Sequence, residues 1–159
     1  MGLREELGLP NPIRNHPHEA ALSVVLTSDL LNKEADRLLR RFGLTEAQFN
    51  VLMLLGHQAG PEGLSQTEIS RFLLVNRANV TGLVDRMEQS GLIARTTTPG
   101  DRRLKRIRMT RKGKEALSKA EAAYFGRIQE TFGEMGEVER RGLIRALERI
   151  RRLLRRSAD

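Results

Sequence analysis

The 159 residues contain no cysteine, so disulfide staples, thiolate metal ligands and thiol-based redox sensing have nothing to work with. Tryptophan is absent too, and aromatics make up 4% of the chain. Any core must be assembled from Leu, Ile, Val, Ala and a few Phe. No apolar run approaches the roughly 18 residues of a membrane span, and the first residues carry no signal-peptide pattern. A cytoplasmic protein with no membrane partner is therefore expected. Only three histidines are available for metal binding. His16 and His18 stand two apart beside Pro17, a poor spacing for ligands on one helical face, and His57 falls at a helix end, where an imidazole usually stabilises carbonyls. Neither a metal nor a cofactor is expected. A nucleophile–base pair, paired carboxylates in an apolar setting and a Gly-rich phosphate loop are all missing, which argues against an enzyme.

Positive charge, by contrast, is plentiful and concentrated. The chain has 28 Lys and Arg against 20 Asp and Glu, a formal net charge of +8. Between Ser65 and Lys112 lie eleven Lys or Arg and four acids, so this window holds +7 of that total. The balance asks for a polyanionic partner, and the elements inside the window say which kind.

Residues 1–14, with Pro10 and Pro12, read as an extension with little structure of its own. A long helix starts near Asn15–His16, carries an apolar stripe through Leu22, Leu26, Leu31, Leu38 and Leu39, and stops at Gly43. Thr45…Gln48 is a capping box for a helix to about His57 that buries Phe49, Val51, Leu52 and Leu55. Ser65…Glu68 is a second box, opening a short helix with Ile69, Phe72 and Leu73 inside. Leu74–Val75 turns the chain, Asn76 caps the next helix, and Val80, Leu83, Val84 and Met87 repeat at helical spacing as its packing face before Gly91 ends it. Leu92–Thr98 and Leu104–Met109 then alternate as a two-stranded ribbon, with Ile107 and Met109 inward and Pro99-Gly100-Asp101-Arg102-Arg103 at its tip. A helix from Thr110 to about Phe132, a break at Gly133 and Gly136, and a last helix over Glu137–Arg156 complete the chain.

The helix after Asn76 turns its other face outward. Small residues at Ala78 and Gly82 let the backbone approach a surface. Asn79 and Thr81 can hydrogen-bond base edges, and Asn76 and Arg77 occupy the positive end of the helix. A helix seated N-terminus first in a major groove requires this pattern. An Arg at the ribbon tip suits a minor groove, where negative potential is focused. Asp85 would repel phosphate and is expected to pair with a neighbouring Arg instead. Arg111 and Lys112 have the wrong sign for the start of their helix and suit either nearby phosphate or plain surface.

The first and last helices are rods of roughly 30–39 Å, longer than one small reading head can cover. Their apolar stripes are expected to meet those of a second chain in a C₂ dimer, placing two reading heads about 34–36 Å apart. A self-contained monomeric helical cap is the alternative. The expected fold is mostly α with a small β-wing. A winged helix-turn-helix head over 44–109 is joined to a helical dimerisation region formed by 15–43 and 110–156.

Several segments together resemble one known family. They are Leu44-Thr45…Gln48-Phe49, Leu64-Ser65-Gln66-Thr67-Glu68-Ile69, Val80-Thr81…Leu83-Val84-Asp85-Arg86-Met87-Glu88…Gly91-Leu92-Ile93…Arg95, Asp101-Arg102-Arg103 and Thr110…Gly113. The family is the MarR family of bacterial transcriptional regulators. The resemblance runs from about Ala20 to Arg156. It implies a homodimeric winged helix-turn-helix on a pseudo-palindromic operator in double-stranded DNA, mostly a repressor released by a small phenolic, lipophilic or metabolite ligand. By position, Ser65 and Gln66 match phosphate contacts. Asn76, Arg77, Ala78, Asn79 and Thr81 match the recognition face, Arg86 a phosphate-facing position, and Arg102 and Arg103 the wing tip. Thr81 and Arg95 match positions near which some members bind an aromatic or otherwise anionic effector. The alternative function is a constitutive DNA-binding architectural or partner-binding protein without effector sensing. An operator affinity that ignores every aromatic acid tried would favour it.

Overall fold

The computed structural model describes residues 2–73, 80–98 and 101–156, with side chains at all of them except 98 and 101–104. The chain divides into two compact units, residues 1–120 and 121–159.

In the first unit the helices begin and end where local chemistry dictates. A single turn, α1 (Leu3–Glu6), stands where only an unstructured extension was expected. It is held by the Arg4 side chain donating to the carbonyls of Leu9 and Pro10, each at 3.3 Å. Helix α2 (His16–Arg40) opens with Asn15 Oδ1 accepting from the His18 amide at 3.1 Å and Pro17 in its first turn. It closes on Gly43 at φ 70°, where Leu44 N–H reaches the Leu39 carbonyl (3.1 Å) and Gly43 N–H that of Arg40 (3.0 Å). Helix α3 (Glu46–His57) has the reciprocal cap its spacing predicts, with Thr45 N–H on Gln48 Oε1 at 2.9 Å and Gln48 N–H on Thr45 Oγ1 at 3.2 Å.

The ribbon is three-stranded rather than two. Strand β1 (Leu64–Ser65) pairs with β3 (Asp101–Met109), which also pairs with β2 (Ile93–Thr98), giving the antiparallel order β1-β3-β2. Leu64 faces Ile107 and Arg95 faces Ile107 from the other side. Two residues are too few for alternation to register as a strand. Gly63 makes the third strand possible: at φ +79° a side chain there would put its Cβ 2.3 Å from the Ile107 carbonyl oxygen.

Helix α4 (Gln66–Phe72) follows β1 directly, and α5 (Val80–Gln89) follows the segment outside the described residues. Phe49, Leu52, Ile69, Val84, Met87, Ile93 and Ile107 are wholly buried, so α3, α4, α5 and the sheet share one aliphatic centre. Among the described residues no polar side chain is buried. Phe72 corrects the sequence reading. It is 40% exposed, and the Arg71 guanidinium lies 5.0 Å from its ring centroid, a cation–π contact on the surface where a core residue was expected.

Helix α6 (Arg111–Phe132) begins at a crowded joint. Gly91 at φ 72° ends α5, and Leu92 N–H returns to the Met87 carbonyl at 2.9 Å. The Leu92 carbonyl then receives Thr110 N–H at 3.1 Å, while Thr110 Oγ1 donates to Gly91 O at 2.6 Å and accepts from Gly113 N–H at 3.1 Å. Lys112 Nζ donates to the Ser90 carbonyl at 2.7 Å and Arg111 pairs with Glu115 at 2.9 Å, so both early cations of α6 already have protein partners.

In the second unit, α7 (Glu137–Arg156) follows the Gly133–Gly136 break. The Arg140 guanidinium donates to the carbonyls of Phe132 (3.1 Å), Gly133 (3.3 Å) and Met135, serving as a side-chain cap on the preceding helix end. No residue of α7 is buried. Its apolar stripe lies open, with Ile144 54% and Leu154 67% exposed.

Candidate nucleic-acid interface

The two helices of the reading head are tied by side chains already singled out in the sequence. Gln66 Nε2 donates to Thr81 Oγ1 at 2.7 Å, joining the first turn of α4 to the first described turn of α5. Asn76, Arg77, Ala78 and Asn79 lie outside the described residues. Thr81 and Arg86 are exposed on α5 while Val80, Leu83, Val84 and Met87 are buried, the division the periodicity predicts. Arg102 and Arg103 belong to β3, but their side chains are outside the described set.

Ser65 sits inside a knot of hydrogen bonds. Its hydroxyl accepts from the Glu68 amide at 3.2 Å and caps α4. One carboxylate oxygen, Glu68 Oε2, accepts from Ser65 N–H (2.7 Å), Ser65 Oγ (2.7 Å) and Arg106 (2.7 Å). The box S-x-x-E made Glu68 legible as a cap. Its link to Arg106, 38 residues away, has no local signal. Of the basic residues on the returning strand, Arg106 is thus committed to Glu68 and Arg108 to the Pro61 carbonyl, while Lys105 is exposed.

Arg95 is the other organising side chain. Its side chain, 19% exposed, sits on β2, and its guanidinium binds Asp85 at 2.5 Å and also Glu88. Its backbone N–H donates to Glu88 Oε1 at 2.9 Å. Asp85 therefore has the Arg partner that the sequence requires of it. Arg95 and Thr81 are both bound to protein groups, so an anionic ligand at either would compete with bonds already formed.

Two of these carboxylates titrate below the usual value near 4.5. The Ser65 amide and hydroxyl lower Glu68, and the Arg95 amide and guanidinium lower Glu88. A depressed folded-state value makes the stabilisation fully present above about pH 4.5 and removes it as pH falls through the lowered values. Glu46, raised by burial and by Asp36, works in the opposite sense. We expect the urea midpoint to hold between about pH 7 and 5 and to decline modestly below about 4.5, since both groups are screened by water. The acid limb should be shallower in Glu68→Gln/Glu88→Gln. An identical limb in that variant would exclude both groups.

Comparison with known proteins agrees with this geometry. The MarR family model matches residues 42–104. The chain is 34% identical over 105 residues to the transcriptional activatory protein BadR of Rhodopseudomonas palustris, covering 64% of this chain and 60% of that one. It is 34% identical over 110 residues to YkoM of Bacillus subtilis, described as an uncharacterized HTH-type transcriptional regulator, covering 69% and 70%. It thus spans less than two thirds of BadR. Among solved structures, M. tuberculosis MosR in complex with DNA matches with a TM-score of 0.66 at 28% identity, covering 86% of this chain and 98% of that one. CouR of Rhodococcus jostii bound to p-coumaroyl-CoA matches in fold with a TM-score of 0.73 at 24% identity, covering 87% and 95%. The tied α4–α5 pair, the three-stranded wing and these relatives lead to one conclusion: the chain belongs to the MarR family of DNA-binding, winged-helix transcriptional regulators.

Proposed function

We propose that the chain works as a homodimer on a pseudo-palindromic operator, as a repressor released by a small aromatic or anionic effector. The observation that carries the DNA half is the pre-set head. Gln66–Thr81 fixes α4 to α5 and Arg95 fixes α5 to β2, so these elements are already held together before DNA arrives. In this reading Ser65, Gln66, Arg86, Arg102 and Arg103 meet the backbone or the minor groove, and Asn76, Arg77, Ala78, Asn79 and Thr81 face the major groove. Unburied apolar residues on α2 (Val25, 66% exposed) and α7 supply the dimer surface, with 15–43 and 110–156 as the dimerisation region. The effector half draws support from CouR, which binds p-coumaroyl-CoA, and from the ligand-released members that the sequence resembles.

The test is a footprint upstream of the protein's own gene, followed by titrations of that site at several salt concentrations. Affinity should fall steeply with salt as phosphate contacts release counterions. Arg102→Ala and Arg103→Ala should each weaken binding by ~1–3 kcal/mol if a tip Arg enters the groove. Unchanged affinity in both would remove the wing from recognition. Transcription in vitro with and without protein distinguishes repression from the activation that BadR's name describes.

A further inference from the structure

Helix α7 carries its charge differently from the long helices before it. Between Arg140 and Arg156 the sequence has eight Arg, no Lys and one acid, Glu148. At about 100° per residue, Arg141, Arg145, Arg149, Arg152 and Arg156 fall within an arc of about 80°, nearly opposite the stripe of Leu143, Leu147, Ile150 and Leu154. All five Arg are exposed. Arg141 pairs with Glu137 at 2.6 Å, and among the described residues the other four have no ion pair. On α2 and α6, by contrast, cations are neutralised about one turn away, as in Lys33–Asp29, Arg40–Asp36 and Arg111–Glu115. The dipole of the last turn accounts for Arg156 but not for Arg145, Arg149 and Arg152. These three lie one and two turns apart and repel one another. An anion from outside the protein relieves that repulsion.

From this row we propose that the polar face of α7 grips the phosphate backbone of double-stranded DNA, independently of sequence, as a second DNA-binding surface of the chain. The chemistry and the length both fit. Arg presents a planar fork to two phosphate oxygens at once, and Lys, which does not, is absent from the helix. From Arg141 to Arg156 the row is about 22 Å long at the helical rise, while a duplex offers one negative charge per about 1.7 Å of axis. Phosphates therefore outnumber guanidinium groups along the contact. A lipid surface fits less well. An interfacial helix buries its apolar stripe at the acyl boundary, which here would turn the Arg row away from the headgroups. The proposal goes beyond the operator reading, because the row lies in the second unit, outside the residues 42–104 that match the family model. It also leaves the apolar stripe of α7 to the second chain.

The test uses the full chain labelled with ¹⁵N and titrated with a short random-sequence duplex. We expect saturable shifts at the amides of Ala146 and Glu148 that persist in Arg102→Ala/Arg103→Ala, so the result stands apart from what the reading head does. In Arg145→Gln/Arg149→Gln/Arg152→Gln the α7 shifts should need about tenfold more duplex, while those at Thr81 and Arg86 keep their midpoint. Gln is a good helix former at exposed positions, so this variant keeps the helix, and the matching triple Arg→Lys variant should recover part of the affinity. The slope of log affinity against log salt, read at the α7 amides, should become shallower by about 0.9 for each phosphate grip lost, about 2.7 for three. No shift on α7, or an unchanged midpoint in the Gln variant, would overturn the proposal. Equal shifts with polyglutamate would overturn the phosphate grip, and shifts with phosphatidylglycerol vesicles but not with duplex would overturn it in favour of a lipid surface.

Discussion

Gly113→Ala is expected to destabilise the first unit by about 3 kcal/mol, against the usual direction for that exchange in a helix, where alanine is favoured by up to ~1 kcal/mol. The reason is a backbone contact. A Cβ at position 113 would stand 2.0 Å from the Leu92 carbonyl oxygen, 3.1 Å from its carbon and 3.4 Å from Leu52 Cδ2. The carbonyl has no easy retreat, because it also receives Thr110 N–H at 3.1 Å, and Thr110 is itself held by its hydroxyl on Gly91 O at 2.6 Å and by Gly113 N–H at 3.1 Å. Either α6 lifts from the sheet or those bonds break. Gly126, on the same helix, provides the control, since nothing lies within 4 Å of its would-be Cβ. Gly126→Ala should leave the urea midpoint unchanged or raise it, whereas Gly113→Ala should lower it with a similar slope. A Gly113→Ala protein as stable as the parent would show that α6 does not meet the sheet at this carbonyl.

Arg95→Ala should cost little stability and much function. Asp85 and Glu88 are 48% and 38% exposed in their side chains, so water screens what their guanidinium partner supplies, and the loss in stability is expected near 1 kcal/mol. Their own repulsion is then unopposed on α5, the helix that the proposed function sets against DNA. The wing also loses its side-chain link to α5, and recognition depends on the two arriving in register. We expect operator affinity to fall by about tenfold or more, equivalent to 1.4 kcal/mol or greater. Arg95→Lys should recover only part of it, because an ammonium offers a point charge where two carboxylates are held by a fork. Unchanged affinity in Arg95→Ala, with the circular dichroism of the parent, would reduce the cluster to surface decoration.

Much of this architecture was written locally. Thr45 with Gln48, and Ser65 with Glu68, announce helix starts because a capping box is a contact across three residues. Gly43 and Gly91 announce stops because only the left-handed region closes the last turn. The buried face of α5 is read directly from a four-position repeat. What stayed hidden is what depends on distant partners. β1 exists only because β3 lies beside it, so a two-residue strand leaves no period to find. Phe72 looked internal by its spacing, yet Ile69 and Leu73 are the residues of this stretch that enter the core, and the Phe72 ring lies outside it against Arg71. Arg95 drew attention as an anion receptor through resemblance. Spacing alone does not reveal that two acids from the preceding helix fold back onto it. Conversely, Thr110 and Gly113 entered as a bare likeness, and the crowded joint at Leu92 supplies their physical reason.

The single oxygen of Glu68 that collects three donors has a consequence for how phosphate is met. The Ser65 proton is already spent on that carboxylate, so the hydroxyl cannot give it to a nucleotide without letting go of Glu68. Any grip on the sugar–phosphate chain at this corner therefore falls to the amides that open α4, or else it takes one donor from Glu68 and throws that carboxylate more fully onto the wing's Arg106. Docking and wing tension are in that case a single event.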